Sequence, residues 1–218
     1  KQNHKLIDIK ANLDVVGSAE KTLENQLRLE DLTGHDILPV FHFHEDIRFL
    51  REYVRRYNYI ALGGLVGRGT MEQRAWLDKI WREELTDNNG FPLVRVHGFG
   101  LTGVELMKRY PWYSVDSTSW MMIAATGKVL LNRPGPDLLP VAVSGRSPEA
   151  DKEGAHLDTL PLEQREALLK ELAGVDLQDW RSRRLVNARA YQAFARQVPY
   201  GPMNVEQTSL FGFYGVRR

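Results

Sequence analysis

With 218 residues, 43% hydrophobic and 26% charged, the chain can bury one substantial core, or one domain with an appendage. It contains no cysteine, which excludes disulfides, thiolate metal sites and a cysteine nucleophile. A net charge of +1 neither demands nor forbids nucleic acid, because a local basic surface matters more than the total. No apolar stretch approaches the roughly 20 residues of a membrane-spanning helix, and the opening KQNHKLIDIK is not a signal peptide. A soluble, cytoplasmic protein without a membrane partner is expected.

The first strand-like run, IDIKANLD, ends at Asp14, and Ser18 then caps a predicted helix that closes at Gly34, with Leu23, Leu27 and Leu29 on its apolar face. ILPVFHF reads as a buried parallel strand with little alternation. In the following EDIRFLREYVRRY, the residues Ile47, Leu50, Tyr53 and Val54 recur at helical spacing. YIALGGL is a third strand, followed by a helix with an apolar stripe of Trp76, Leu77, Ile80 and Trp81 and by the turn DNNG. LVRVHGFG with LTGVELMKRY, then WYSVDS with TSWMMIAATG, complete five strand-helix units. Their length of about 20 to 35 residues is what a strand, a crossover helix and loops require.

From Val129 the pattern changes. LLNRPGPDLLP is proline-rich, LPVAVSG is a candidate sixth strand, and RSPEADKEGAH reads as an exposed loop. Two helices joined through Gly174 follow, the second carrying Arg181, Arg183, Arg184, Arg189 and Arg196. A complete eight-fold barrel takes about 250 residues. The expectation is therefore an α/β fold of the (β/α)8 TIM-barrel type, with its first strands lying upstream of Lys1. Residues 1–145 would form the catalytic portion and 146–218 a loop and helical C-terminal extension.

In such a barrel, catalytic groups come from the C-terminal ends of several strands, because the strand-to-helix loops converge there. Asp116, at the end of YSVD, is either a nucleophile of the kind that captures a sugar carbon or a cap for the helix after it. Asp14 has the same ambiguity, and Asn12 shares its side of the strand. His42 and His44 share a strand face, and with His97 they would make either a metal site or pocket-lining hydrogen-bonding groups. GGLVGRG lacks the lysine and hydroxyl residue of a P-loop. Gly63 and Gly64 instead suit the approach of a flat ligand to the backbone, and Gly98 and Gly100 suit either that or a turn. The arginines of the last helix would either track phosphates or form a solvated face paired with Asp176 and Asp179.

Taken in order, YIALGGLVGRG, VRVHGFGLTGVELM and YSVDSTSW resemble the tRNA-guanine transglycosylase superfamily, including its phage and genomic-island relatives that insert 7-deazaguanines into DNA. The resemblance covers about residues 7 to 120. It implies that Asp116 is the nucleophile that holds the sugar carbon covalently, that Asp14 hydrogen-bonds the heterocycle, and that His42 stands near a base-recognising position. It also implies that Gly63 and Gly64 meet the base through their backbone while His97, Gly98 and Phe99 form one wall. The second catalytic aspartate of the family, in a "DSGGF" or "DSGAF" segment, has no counterpart here; the cysteine zinc site is absent, and STSW replaces the "PTR" tail. Those departures point to DNA ahead of tRNA.

The resulting expectation is an enzyme that exchanges guanine in a nucleic acid for a 7-deazaguanine base, without cofactor or metal. Arg181, Arg183 and Arg184 would contact the nucleic-acid backbone, and a homodimer is one assembly to test. The alternatives are a catalytically silent nucleic-acid-binding or assembly barrel, and a barrel hydrolase using a metal on His42, His44 and His97.

Overall fold

The computed structural model describes residues 9–15, 17–101, 103–133 and 137–203. It divides into two compact units, 1–116 with 200–218, and 117–199. The boundary expected at 145/146 falls inside the second unit. No helix among the described residues is long and apolar enough to cross a membrane.

The first unit is built on a parallel sheet. Its strands are β1 (Val40–His42), β2 (Tyr59–Gly63), β3 (Arg95–Gly98) and β4 (Ser114–Val115), arranged side by side in chain order. Each successive pair is connected by a helix: α2 (Ile47–Arg56), α3 (Thr70–Ile80) and α4 (Val104–Arg109). The segment beginning IDIKANLD contributes a parallel bridge, Ala11 to Leu38, beside β1; its residues 7 and 8 lie outside the described part.

Parallel strands added in one direction through right-handed crossovers place every connecting helix on the same face of the sheet. Phe41 on that face stacks on Trp76 of α3 with ring centroids 6.2 Å apart. Leu50 and Tyr53 of α2 are buried, as are Trp76, Leu77 and Ile80 of α3, so the helical spacing in the sequence identified the inward faces. The opposite sheet face carries Val40 and His42, then Tyr59, Ala61 and Gly63, then Arg95 and His97, then Ser114, by the two-residue alternation of strands and the pairing register.

The helix α1 (Ala19–Thr33) begins at Ser18, whose hydroxyl accepts the Lys21 N–H, and ends at Gly34 in the left-handed region, φ 67°. Its inward stripe corrects the expected leucine face. Ala19, Thr22 and Gln26 are buried while Leu27 is 41% exposed. The reason is polar: the Thr22 hydroxyl accepts the Val15 N–H, Asn12 Nδ2 donates to the Thr22 carbonyl, and Gln26 Nε2 donates to the Ile37 carbonyl. The Val15 N–H and the Ile37 carbonyl, which lie outside helices and strands, are thereby hydrogen-bonded.

The second unit contains α5 (Ser119–Ala125), β5 (Lys128–Arg133), β6 (Asp137–Ala142), α6 (Leu162–Glu171) and α7 (Trp180–Ala195). The candidate sixth strand forms as β6, but it pairs antiparallel with β5 rather than extending the parallel sheet. The connection between them is far shorter than the dozen or more residues a parallel crossover needs, which leaves a hairpin as the available geometry. Val129, Leu131, Val141 and Val143 from the hairpin pack with Leu157, Leu168 and Leu172 into the core of this unit. Asn187 of α7, fully buried, accepts the Leu130 N–H and donates to the Trp120 carbonyl.

Candidate functional site

The C-terminal ends of the parallel strands assemble two carboxylate–histidine pairs. Asp14 lies beyond the bridge at Ala11, on a segment clamped by α1 through Asn12, Thr22 and the bond from Asn25 Nδ2 to the Leu13 carbonyl. Its Oδ2 is 2.7 Å from Nε2 of His42, the last residue of β1. The other ring nitrogen, Nδ1, is 3.4 Å from Glu45 Oε1, while Glu45 Oε2 accepts the backbone N–H of His42 at 2.8 Å. Bonding to Glu45, reinforced by the charge of Glu45 and Asp14, raises the His42 pKa above its ordinary 6.5 in spite of burial.

Both nitrogens of His42 are therefore committed to carboxylates. A ring so engaged orients the Asp14 carboxylate. Gly63 has a related purpose. A Cβ there would lie 3.0 Å from His42 Cδ2 and 3.2 Å from Nε2, so the glycine makes room for the ring. Its carbonyl accepts the Phe43 N–H. Gly64, at φ 73°, turns the chain away from β2, and its carbonyl accepts from Arg68 Nε.

Asp116 follows β4. Its carboxylate does not cap the next helix: α5 begins at Thr118 without a side-chain cap bond. Asp116 Oδ1 instead accepts the N–H of Gly100 at 2.7 Å, and its own N–H donates to the Gly98 carbonyl at 3.2 Å. Gly100 can present that N–H because it adopts φ 63°, a region that L-residues with a side chain seldom enter. The Asp116 side chain is 57% exposed, and His97 Nε2 stands 3.8 Å from its Oδ1. Burial pushes the His97 pKa down, against the pull of the Asp116 charge.

His97 meets Phe99 edge to face at 4.5 Å between centroids, which places the two rings side by side along the sheet face. Gly98 faces the other way. A Cβ on it would meet the Trp112 ring at 3.1 Å and Leu101 at 3.3 Å, which makes its role one of packing beneath the helices.

The two histidines thus have pKa values driven apart by their surroundings, a frequent property of working sites. β1 and β4 are three strand spacings apart, about 14 Å along a flat sheet. The two pairs therefore stand at separate points along the C-terminal ends of the strands. The three-histidine metal arrangement is not formed: no group of three or more His, Cys, Asp or Glu among the described residues could hold an ion. His44 faces solvent at φ 65°.

In the second unit the three arginines separate. Arg181 is exposed. Arg184 lies over the Trp180 ring at 5.0 Å. Arg183 is only 4% exposed, and its guanidinium donates to the Ala124 and Leu177 carbonyls at 2.9 and 2.6 Å. This corrects the expectation that Arg183 contacts a nucleic-acid backbone, because its donors are consumed inside the unit.

Sequence reasoning missed Ser114 and Tyr59, and it missed that Glu45 faces the His42 ring. Ser114 could have been found, since it stands two residues before Asp116 and so on the same strand face. Tyr59 and Glu45 gain their places through strand register and a turn. No protein-family model, curated protein or solved structure matches the chain.

Proposed function

We propose that this chain carries the base-exchange site of a (β/α)8-type barrel akin to the tRNA-guanine transglycosylases, replacing guanine in DNA or tRNA, with DNA favoured, by a 7-deazaguanine base. The observation that carries the reading is the presentation of Asp116: an accessible carboxylate at a strand end, oriented by the Gly100 N–H and flanked by His97. It shares its sheet edge with the Asp14–His42 pair. Strands added in chain order with their helices on one face are also what the arc of such a barrel requires.

In this reading a nucleoside extruded from the strand offers its sugar carbon to Asp116. The carboxylate oxygen forms a bond to C1′ as the C1′–N9 bond breaks, and guanine departs with the electron pair and takes up a proton from solvent, to which the incoming base later returns one. The incoming 7-deazaguanine then gives up its N9 proton and displaces the carboxylate, so the exchange is neutral overall. Asp14, held by His42, is the acceptor for donors on the heterocycle edge. The Phe99 ring, met edge-on by His97, offers an aromatic surface beside the site. Arg181 and Arg184 are the groups available for phosphate.

The deciding experiment is incorporation of labelled guanine or 7-deazaguanine into DNA and tRNA, with Asp116→Ala beside the wild type. Exchange that survives in Asp116→Ala refutes the nucleophile. Binding of nucleic acid without any exchange by the wild type establishes the silent, non-catalytic barrel in its place.

A further inference from the structure

The sheet face that bears the site also holds a chain of side-chain hydrogen bonds that none of the roles above uses. Tyr59 Oη is 2.6 Å from Ser114 Oγ. Ser114 Oγ is in turn 2.6 Å from His97 Nδ1. The far nitrogen of the same ring, Nε2, stands 3.8 Å from Asp116 Oδ1. Register brings the three together: His97 pairs with Ser114 across β3 and β4, and Tyr59 pairs with Arg95, two residues before His97 on the same face.

A neutral imidazole has one donor nitrogen and one acceptor nitrogen, so the chain can run in either direction. Two features choose between them. A carboxylate only accepts, so the nitrogen turned towards Asp116 should carry the hydrogen. A phenol is also the stronger acid of the two hydroxyl types, and that makes Tyr59 the natural terminal donor. Both place the Ser114 hydrogen on the Nδ1 side.

We propose that Tyr59 and Ser114 are positioning residues that donate in series to Nδ1 of His97, fix it as the Nε2–H tautomer and aim that N–H at the Asp116 carboxylate. Oδ1 of Asp116 is then addressed from two sides, by Gly100 and His97, which turns Oδ2 towards a ligand. At 3.8 Å the His97 contact is longer than a hydrogen bond, and it would close when ligand completes the site, as such contacts often do. The catalytic consequence rests on the base-exchange reading; the tautomer does not.

The test pairs nitrogen NMR with the exchange assay. Long-range proton–nitrogen spectra, with His97 assigned through His97→Gln, should show His97 as Nε2–H near neutral pH. Ser114→Ala should give a tautomer mixture or the Nδ1–H form, and Ser114→Thr, which keeps the hydroxyl, should restore the wild-type pattern. An Nδ1–H form in the wild type, or a pattern unchanged in Ser114→Ala, overturns the proposal. In the exchange assay, Ser114→Ala should slow covalent trapping on Asp116 about tenfold or more, as loss of an orienting group does elsewhere, and Ser114→Thr should recover it. Trapping at the wild-type rate in Ser114→Ala removes the positioning role. If the pattern follows Ser114 but the wild type exchanges no base, the relay stands and the base-exchange reading falls.

Discussion

His42 Nε2 lies 2.7 Å from Asp14 Oδ2, joining the end of β1 to a segment 28 residues earlier in the chain. Bonding to Glu45 on the other side of the ring, with a smaller contribution from Asp14, favours the imidazolium and raises the His42 pKa above 6.5 in spite of burial. A histidine whose folded pKa is raised contributes stability that is fully present below its unfolded value and is lost as pH rises through the folded value. The gap in denaturant midpoint between wild type and His42→Gln should therefore be wider at about pH 6 than at about pH 9. Equal gaps at both would show that the ring acts by packing alone.

Gly63 is where that ring meets β2. Since a Cβ would approach His42 Cδ2 to 3.0 Å and Val40 Cγ1 to 3.1 Å, Gly63→Ala should cost about 1 to 3 kcal/mol, the usual range for overpacking. It should also displace His42 from Asp14 and thereby weaken the pH dependence just described. Chemical denaturation of the variant at the two pH values measures both effects.

Asp116 is 57% exposed at its side chain, so it can be changed without disturbing the fold. Asp116→Asn keeps an oxygen to accept the Gly100 N–H and should alter stability by no more than about 0.5 kcal/mol. It should nonetheless abolish covalent trapping of the sugar, because an amide is a poor nucleophile. Thermal unfolding together with a trapping gel separates the two effects, and an Asn variant that still traps would remove Asp116 from the reaction.

The α7 arginines should divide in the same way. Arg183→Met leaves the carbonyls of Ala124 and Leu177 without their charged donor and should cost about 2 to 4 kcal/mol. Arg181→Ala should lie within about 0.5 kcal/mol of wild type. If α7 meets nucleic acid, the double variant Arg181→Ala, Arg184→Ala should lower the slope of log affinity against log salt by about one for each phosphate that is no longer neutralised. A slope unchanged by the double variant would place the nucleic-acid surface elsewhere.

The Asp78–Arg109 pair is a structural counterpart. Arg109 is 2% exposed and donates to Asp78 from two nitrogens at 2.8 and 2.9 Å, and the Tyr110 hydroxyl joins at 2.9 Å. Burial alone would raise the Asp78 pKa, but the bonds from Arg109 and Tyr110 outweigh it and hold the carboxyl below its usual 3.8. Its contribution is then present above 3.8 and lost as pH falls through the lower folded value. Asp78→Ala, which strands a buried charge, should cost about 3 to 5 kcal/mol near neutral pH, as equilibrium unfolding would register.

The sequence by itself determined the elements whose signals are local. The Ser18 cap, the Gly34 stop and the Trp76–Leu77–Ile80 stripe follow from periodicity and backbone preference, and the run of polar residues at strand ends follows from where those strands stop. It did not reveal that α1 turns Thr22 and Gln26 inward, because their partners are loop carbonyls distant along the chain. Nor did it separate Arg183 from Arg181, two residues apart on one helix, or show that the candidate sixth strand folds back as a hairpin. The clearest case is His97. The sequence marks it as a candidate, but its tie to Ser114 and Tyr59 depends on register across three strands, and hydrogen bonds between strands are set by pairing that no local pattern encodes. Tertiary structure alone also decided that Asp116 binds Gly100 instead of capping α5, since the choice rests on which N–H the fold brings within reach.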